Sequence, residues 1–123
     1  MAMSIEQKEF ASYVVDLMQS IGPVTSKYMF GGVGIFLEGL MFGLIADNEL
    51  YLKVDEDNLA DFEELGLSAF SFAKDGKEFK MGYFQAPEEA MEDIEMMNQW
   101  ATKAYGAAIR AAAKKKPKQK KKK

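Results

Sequence analysis

TSKYMFGGVGIFLEGLMFGLIADNELYLKV, residues 25–54, decides how this chain folds. Apolar and other residues alternate along it with a period of two, the signature of strands whose side chains point to opposite faces. Gly31-Gly32, Glu38-Gly39 and Asp47-Asn48-Glu49 interrupt the alternation with residues that tolerate the positive φ values of tight hairpins. Four strands follow, at 25–30, 33–38, 40–46 and 50–54, arranged as an antiparallel meander. In the third, Leu40, Phe42, Leu44 and Ala46 alternate with Met41, Gly43 and Ile45. Both faces are apolar, so this strand is expected at the centre of a sheet, with a helix covering one side and a partner the other.

Outward from the meander the period changes to that of helices. Upstream, Phe10, Tyr13, Val14, Leu17, Met18 and Ile21 form an i, i+3, i+4, i+7 stripe. Ser4 and Gln7 have the spacing of a capping box at its start, and Gly22-Pro23 stops it. Downstream, Asp55 is placed to cap a short helix through Asn58, Leu59, Phe62 and Leu65, closed by Gly66. Strands at 69–73 and 78–84 are joined by Lys74-Asp75-Gly76-Lys77, and Pro87 opens an acidic helical turn. Asp93 caps a last helix with an inner face of Met97, Trp100, Ala101, Ala104 and Ala108. The expected class is α+β: about six antiparallel strands in the order helix, four strands, helix, two strands, helix, with the terminal helices packed on the sheet.

The 123 residues, 48% of them hydrophobic, suit one domain and one core. No apolar stretch reaches the ~18 residues of a membrane-spanning helix, and the nine methionines with no cysteine suit a reducing interior. The expected location is the cytoplasm. The net charge of −3 hides an asymmetry. Eight of the sixteen basic residues are Lys114, Lys115, Lys116, Lys118, Lys120, Lys121, Lys122 and Lys123; removing them leaves eight basic against nineteen acidic residues, or −11, in residues 1–113. The body is therefore read as residues 1–113 and the lysine tail as 114–123, broken at Pro117 and disordered beyond it. An acidic body repels polyanions, so a nucleic acid is to be met weakly and without sequence preference by the tail lysines.

The lack of histidine and cysteine removes Ser-His and Cys-His nucleophilic pairs, imidazole bases and the usual zinc ligands. Asp55-Glu56-Asp57, Glu88-Glu89 and Glu92-Asp93 are carboxylate clusters, but each falls at a helix start, where negative charge offsets the helix dipole. A calcium loop from Asp55 fails because Ala60 stands where its glycine belongs. Gly31-Gly32-Val33-Gly34 lies between strands and lacks the lysine, hydroxyl and helix of a phosphate loop. Lys53 and Tyr51 face away from Leu50, Leu52 and Val54, and Lys53 is read as a solvated lysine rather than a catalytic one. Phe70, Phe72, Phe79 and Tyr83 lack interleaved basic residues and are read as core rather than base-stacking platforms. No enzyme, cofactor, metal or small-molecule substrate is expected.

Met29-Phe30-Gly31-Gly32-Val33-Gly34-Ile35-Phe36, then residues 42–47 (FGLIAD) and 50–55 (LYLKVD), resemble the N-terminal domain of the TfoX/Sxy competence regulators. Phe62, Gly66, Pro87-Glu88-Glu89 and Trp100 extend the resemblance over most of the body. It implies an antiparallel α+β domain of the kind likened to secretion chaperones, able to self-associate and without known catalysis. Full-length members promote competence-gene transcription with the cyclic-AMP receptor protein and carry a second domain where this sequence has lysines. The expectation is a regulatory protein-interaction module. It contacts a protein partner, such as a transcription factor, or a second copy in a homodimer, through Met29, Phe30, Gly31, Gly32, Ile35 and Phe36 and the doubly apolar sheet.

Overall fold

The computed structural model describes residues 5–29, 32–74 and 77–120. Helix α1 spans Ile5–Met18 and ends in a 3-10 turn at Gln19–Ile21. Strands β1 (Thr25–Met29), β2 (Gly32–Leu37), β3 (Leu40–Ala46) and β4 (Glu49–Lys53) follow, then α2 (Leu59–Glu64), β5 (Ala69–Lys74), β6 (Lys77–Gln85), a 3-10 turn at Glu88–Met91 and α3 (Ile94–Lys120). All six strands form one antiparallel sheet in the order β1-β2-β3-β4-β6-β5, so β3 is an interior strand, as its two apolar faces require.

The hairpin turns have the expected chemistry. Glu38 and Gly39 have φ of 54° and 82°, and Asp47 and Asn48 have φ of 52° and 61°. Two successive positive φ values match the twist of the flanking strands and hold each loop to two residues. Glu49, read as part of its turn, is already in β4. Gly31 and the Asp75-Gly76 turn lie outside the described residues, as does Ser4 of the capping box.

One face of the sheet carries Val33, Ile35, Leu37, Ile45, Leu50 and Leu52, all buried. They form a single core with Ala11, Val14, Leu17 and Met18 of α1, Phe62 of α2, and Met97, Trp100, Ala101, Ala104 and Ala108 of α3. Phe62 stacks edge-on against Trp100, with ring centroids 5.0 Å apart, a geometry that sets one ring's positive edge on the other's negative face. From the sequence stripes, Tyr13 and Leu65 are instead exposed. Tyr13 still ties α1 down, because its hydroxyl donates to the Met91 carbonyl.

Strict alternation put Phe42 on the face of Leu44 and away from Ile45. The pairing corrects this. Ile35 pairs with Gly43 but Phe36 pairs with Met41, so Phe42 is an extra residue on β3. A bulge of this kind turns two successive side chains toward one face. Phe42 is fully buried in the core with Ile45, edge-on to Tyr105 of α3 at 5.6 Å between centroids.

Asp55 is not the cap of α2, which begins at Leu59 with Asn58 before it. Asn58, a buried polar side chain, accepts from the Asp55 N–H at 2.8 Å and donates to the carbonyls of Lys53 (3.1 Å) and Lys103 (3.2 Å). It bridges the end of β4 to α3. Asp93 does cap α3, its Oδ1 accepting from the Glu95 N–H at 3.2 Å. Gly66, at φ 70°, closes α2 with Leu67 N–H donating to the Phe62 carbonyl at 3.3 Å.

Candidate interaction surface

The face of the sheet turned away from the helices is built by registered rows. Lys27 pairs with Gly34, Gly34 with Leu44, Leu44 with Tyr51 and Tyr51 with Gln85, so these five side-chain positions cross the outer face in one line. Thr25, Phe36 and Met41 form a second row, and Lys53 pairs with Tyr83 on the same face. Leu44 and Tyr83 are buried, at 7% and 6% exposure, yet both stand outside the core cluster. The buried side chains of α1, α2 and α3, Ala107 aside, belong to the opposite face. Half-buried apolar groups surround Leu44: Met29, Phe36, Met41, Tyr51 and Phe70.

Glycine shapes this surface. A Cβ on Gly34 would come within 2.9 Å of the Phe36 ring and 3.2 Å of the Met29 methyl. The bare backbone lets Met29 and Phe36 lie together over β2. Phe70 packs on Tyr51 with ring centroids 4.9 Å apart, and the Lys53 ammonium sits 5.1 Å from the centroid of the Tyr83 ring. Phe70 and Tyr83, read as core aromatics, therefore belong to the outer face. Burial pushes the Tyr83 hydroxyl up to about 12, and burial with the nearby Glu49 and Asp47 charges raises that of Tyr51. Both phenols stay neutral donors at physiological pH.

The structure divides the candidate hairpin. Met29 and Phe36 are on the outer face, whereas Ile35 is fully buried under the helices and is unable to reach a partner. Gly32 is buried in β2, where a Cβ would meet the Ile45 carbonyl oxygen at 2.4 Å. Phe30 and Gly31 lie outside the described residues, as do the side chains of Phe72 and Phe79. Met41, Leu44 and Tyr51 were not singled out as contact residues; the doubly apolar alternation of β3 was the signal for Met41 and Leu44, and the outward alternation of β4 for Tyr51.

A second feature stands where α3 leaves the body. Arg110 donates through Nε to Asp55 Oδ2 at 2.6 Å and through Nη2 to Asp55 Oδ1 at 3.0 Å, and its Nε lies 3.1 Å from Asp57 Oδ2. This fork holds the Asp55 carboxyl below the usual range, with the bond to Arg110 as the main cause. Beyond it α3 continues through the break expected at Pro117 to Lys120. Its neighbours are strong helix formers, and a proline removes one backbone bond without forbidding those after it. Lys121, Lys122 and Lys123, and the side chains of Lys115, Lys116, Lys118 and Lys120, lie outside the described residues.

Two concavities are lined partly by helical residues. One of about 390 Å³ lies among Phe10, Glu49, Leu50, Leu67, Gln85 and Met91, and one of about 240 Å³ among Asp61, Glu64, Glu89, Trp100 and Lys103. In the first, Gln85 Nε2 donates to Glu49 at 2.7 Å; in the second, Trp100 Nε1 donates to Glu89 at 3.2 Å and Lys103 pairs with Asp61 at 3.2 Å. These pairings engage Gln85, Glu49, Trp100, Glu89, Lys103 and Asp61 within the linings. Among the described residues no cluster of carboxylates is arranged to hold a metal ion, and no helix is long and apolar enough to cross a membrane.

The model of the TfoX N-terminal domain matches residues 16–108, from late α1 to the last buried turn of α3. The chain belongs to the TfoX N-terminal domain family. It is also 33% identical over 84 residues to a DNA transformation protein, TfoX1, of Aliivibrio fischeri, an alignment covering 68% of this chain and 40% of that protein. The chain thus spans less than half the length of that relative. The family match contains the whole meander, the bulge at Phe42 and the outer-face rows, and it ends before Arg110 and the lysines.

Proposed function

We propose that this TfoX N-terminal domain is a non-enzymatic regulatory module that docks protein through the outer face of its sheet, in a competence-related role like that named for its relative. The observation that carries this reading is the apolar surface around Leu44. Met29, Phe36, Met41, Tyr51 and Phe70 form a contiguous group on a sheet face with no helix over it among the described residues. Apolar and aromatic groups gathered on one face, rather than scattered singly, are what protein interfaces use. The occupant is a second copy of the chain, two such faces closing on each other about a two-fold axis, and a transcription factor is the partner the dimer serves.

Light scattering coupled to gel filtration tests the dimer. The wild-type chain is expected at twice its 13.8 kDa, and Phe36→Glu, which charges the patch without touching the core, at the monomer mass with its thermal unfolding intact. A wild type that stays monomeric at every concentration, or a Phe36→Glu chain that stays dimeric, sinks the reading.

A further inference from the structure

We infer that the concavity between α1, the start of β4 and the turn before α3 is a binding site for a small organic cation, an ammonium or guanidinium group carried on an apolar body. Its volume of about 390 Å³ falls within the range of small-molecule sites, about 300–1,000 Å³. Its apolar wall is an open margin of the core. Leu50, 4% exposed, belongs to that core, and Phe10, Leu67, Ala86 and Met91 pack against it while remaining half-buried. An apolar ligand body laid on them takes this remaining surface out of water. The wall is tied together without a ligand: Ala86 N–H donates to the Leu50 carbonyl at 2.9 Å, and the Tyr13 hydroxyl of α1 donates to the Met91 carbonyl. A site already ordered loses less freedom on binding.

Charge selects the ligand. Glu49 and Glu88 are on the lining, and no lysine or arginine is. The Gln85 amide donates to Glu49 Oε1 at 2.7 Å, which anchors that carboxylate at the cavity and leaves its second oxygen to accept from a ligand N–H. The other concavity shows the same chemistry already satisfied. There Asp61 and Glu89 share the lining with Lys103, whose ammonium pairs with Asp61 at 3.2 Å and lies 5.9 Å from the centroid of the Trp100 ring. That concavity holds a cation of the chain's own; in the first, the cation is left to the ligand.

The rest of the body favours the same sign. Residues 1–113 carry a net −11, from nineteen acidic and eight basic residues, which attracts a cation to this surface and repels an anion. The lining comes from residues 10, 48–50, 67 and 85–91, four stretches far apart in the chain, so no local motif announces it. Met29, Phe36, Met41 and Leu44 of the outer face take no part in it, and the cavity is open to a ligand in monomer and dimer alike.

The test titrates the full isotope-labelled chain with three probes of like shape, phenethylammonium, phenylethyl alcohol and phenylacetate, and follows the backbone amide shifts by NMR. For a probe of about ten non-hydrogen atoms, the cation is expected to saturate with a Kd of about 1–10 mM, with its largest shifts at Phe10, Leu50, Leu67, Ala86 and Met91. The alcohol should bind about fivefold more weakly and the anion more weakly still. Glu49→Gln and Glu88→Gln, which keep the side-chain shape, should each weaken the cation about three- to fivefold and leave the alcohol's affinity unchanged. An absence of saturable shifts at the cavity residues, phenylacetate binding as tightly as the cation, or wild-type affinity for the cation in both Gln variants each overturns the assignment.

Discussion

Asp55 shows how one side chain fixes a junction. Its two oxygens take the Arg110 fork, and Oδ1 also accepts from the Asp57 N–H at 3.0 Å, so the loop after β4 is held to α3 from both sides of Asn58. Its folded pKa lies below the unfolded value, so its contribution is present above the unfolded pKa and is lost as pH falls through the folded one. Arg110 and Asp55 are partly exposed, with side chains 40% and 20% accessible, which limits the contribution to about 1 kcal/mol. Urea denaturation of wild type and Asp55→Asn should differ by that amount at pH 7, and the difference should shrink as the pH is taken below about 4. A difference independent of pH would mean that the fork is not ionic. The sequence showed Asp55 only as one of three acids before a helix. Its partner is 55 residues away, and no local pattern reports such a pairing.

At the scale of the element, β2 and β3 carry the candidate surface, and two glycines one residue apart in β2 play different parts. A methyl on Gly32 meets a backbone carbonyl, that of Ile45, at 2.4 Å, which the sheet is unable to yield. On Gly34 it meets the far ends of Met29 and Phe36, which rotate aside. Gly32→Ala is therefore expected to cost about 2–3 kcal/mol, seen as a fall in Tm of roughly 10 °C. Gly34→Ala should cost under about 1 kcal/mol and yet weaken dimerisation by displacing two side chains of the patch. Equal effects of the two substitutions on Tm would show that Met29 and Phe36 do not lie over Gly34. Strand existence and boundaries were legible because Glu38-Gly39 and Asp47-Asn48 are local devices with their own backbone preferences. The bulge at Phe42 was not. It exists only in the pairing with β2, so strict alternation placed the largest side chain of the strand on the wrong face. Ile35 was misjudged as a contact residue for a related reason: its place in a motif said nothing of which face it takes.

In the whole molecule, the layout of helices and strands followed from periodicity, but the order β4-β6-β5 did not, since β6 pairs with β4 from 24 residues further along and no local pattern reports a pairing at that separation. The two chain ends, α1 and α3, cover the same face and lean on each other, and the Tyr13 hydroxyl bridges α1 to the turn before α3. The region shared with the family, residues 16–108, opens inside α1. A protein trimmed to that region loses Phe10, Ala11 and Val14 from the core along with Tyr13. Such a fragment should expose the underside of the sheet and bind a hydrophobic dye such as ANS, which the full chain should not. The stretch that heredity has kept recognisable is thus shorter than the stretch that folds, and anyone dissecting this protein should cut outside α1 rather than where the likeness begins.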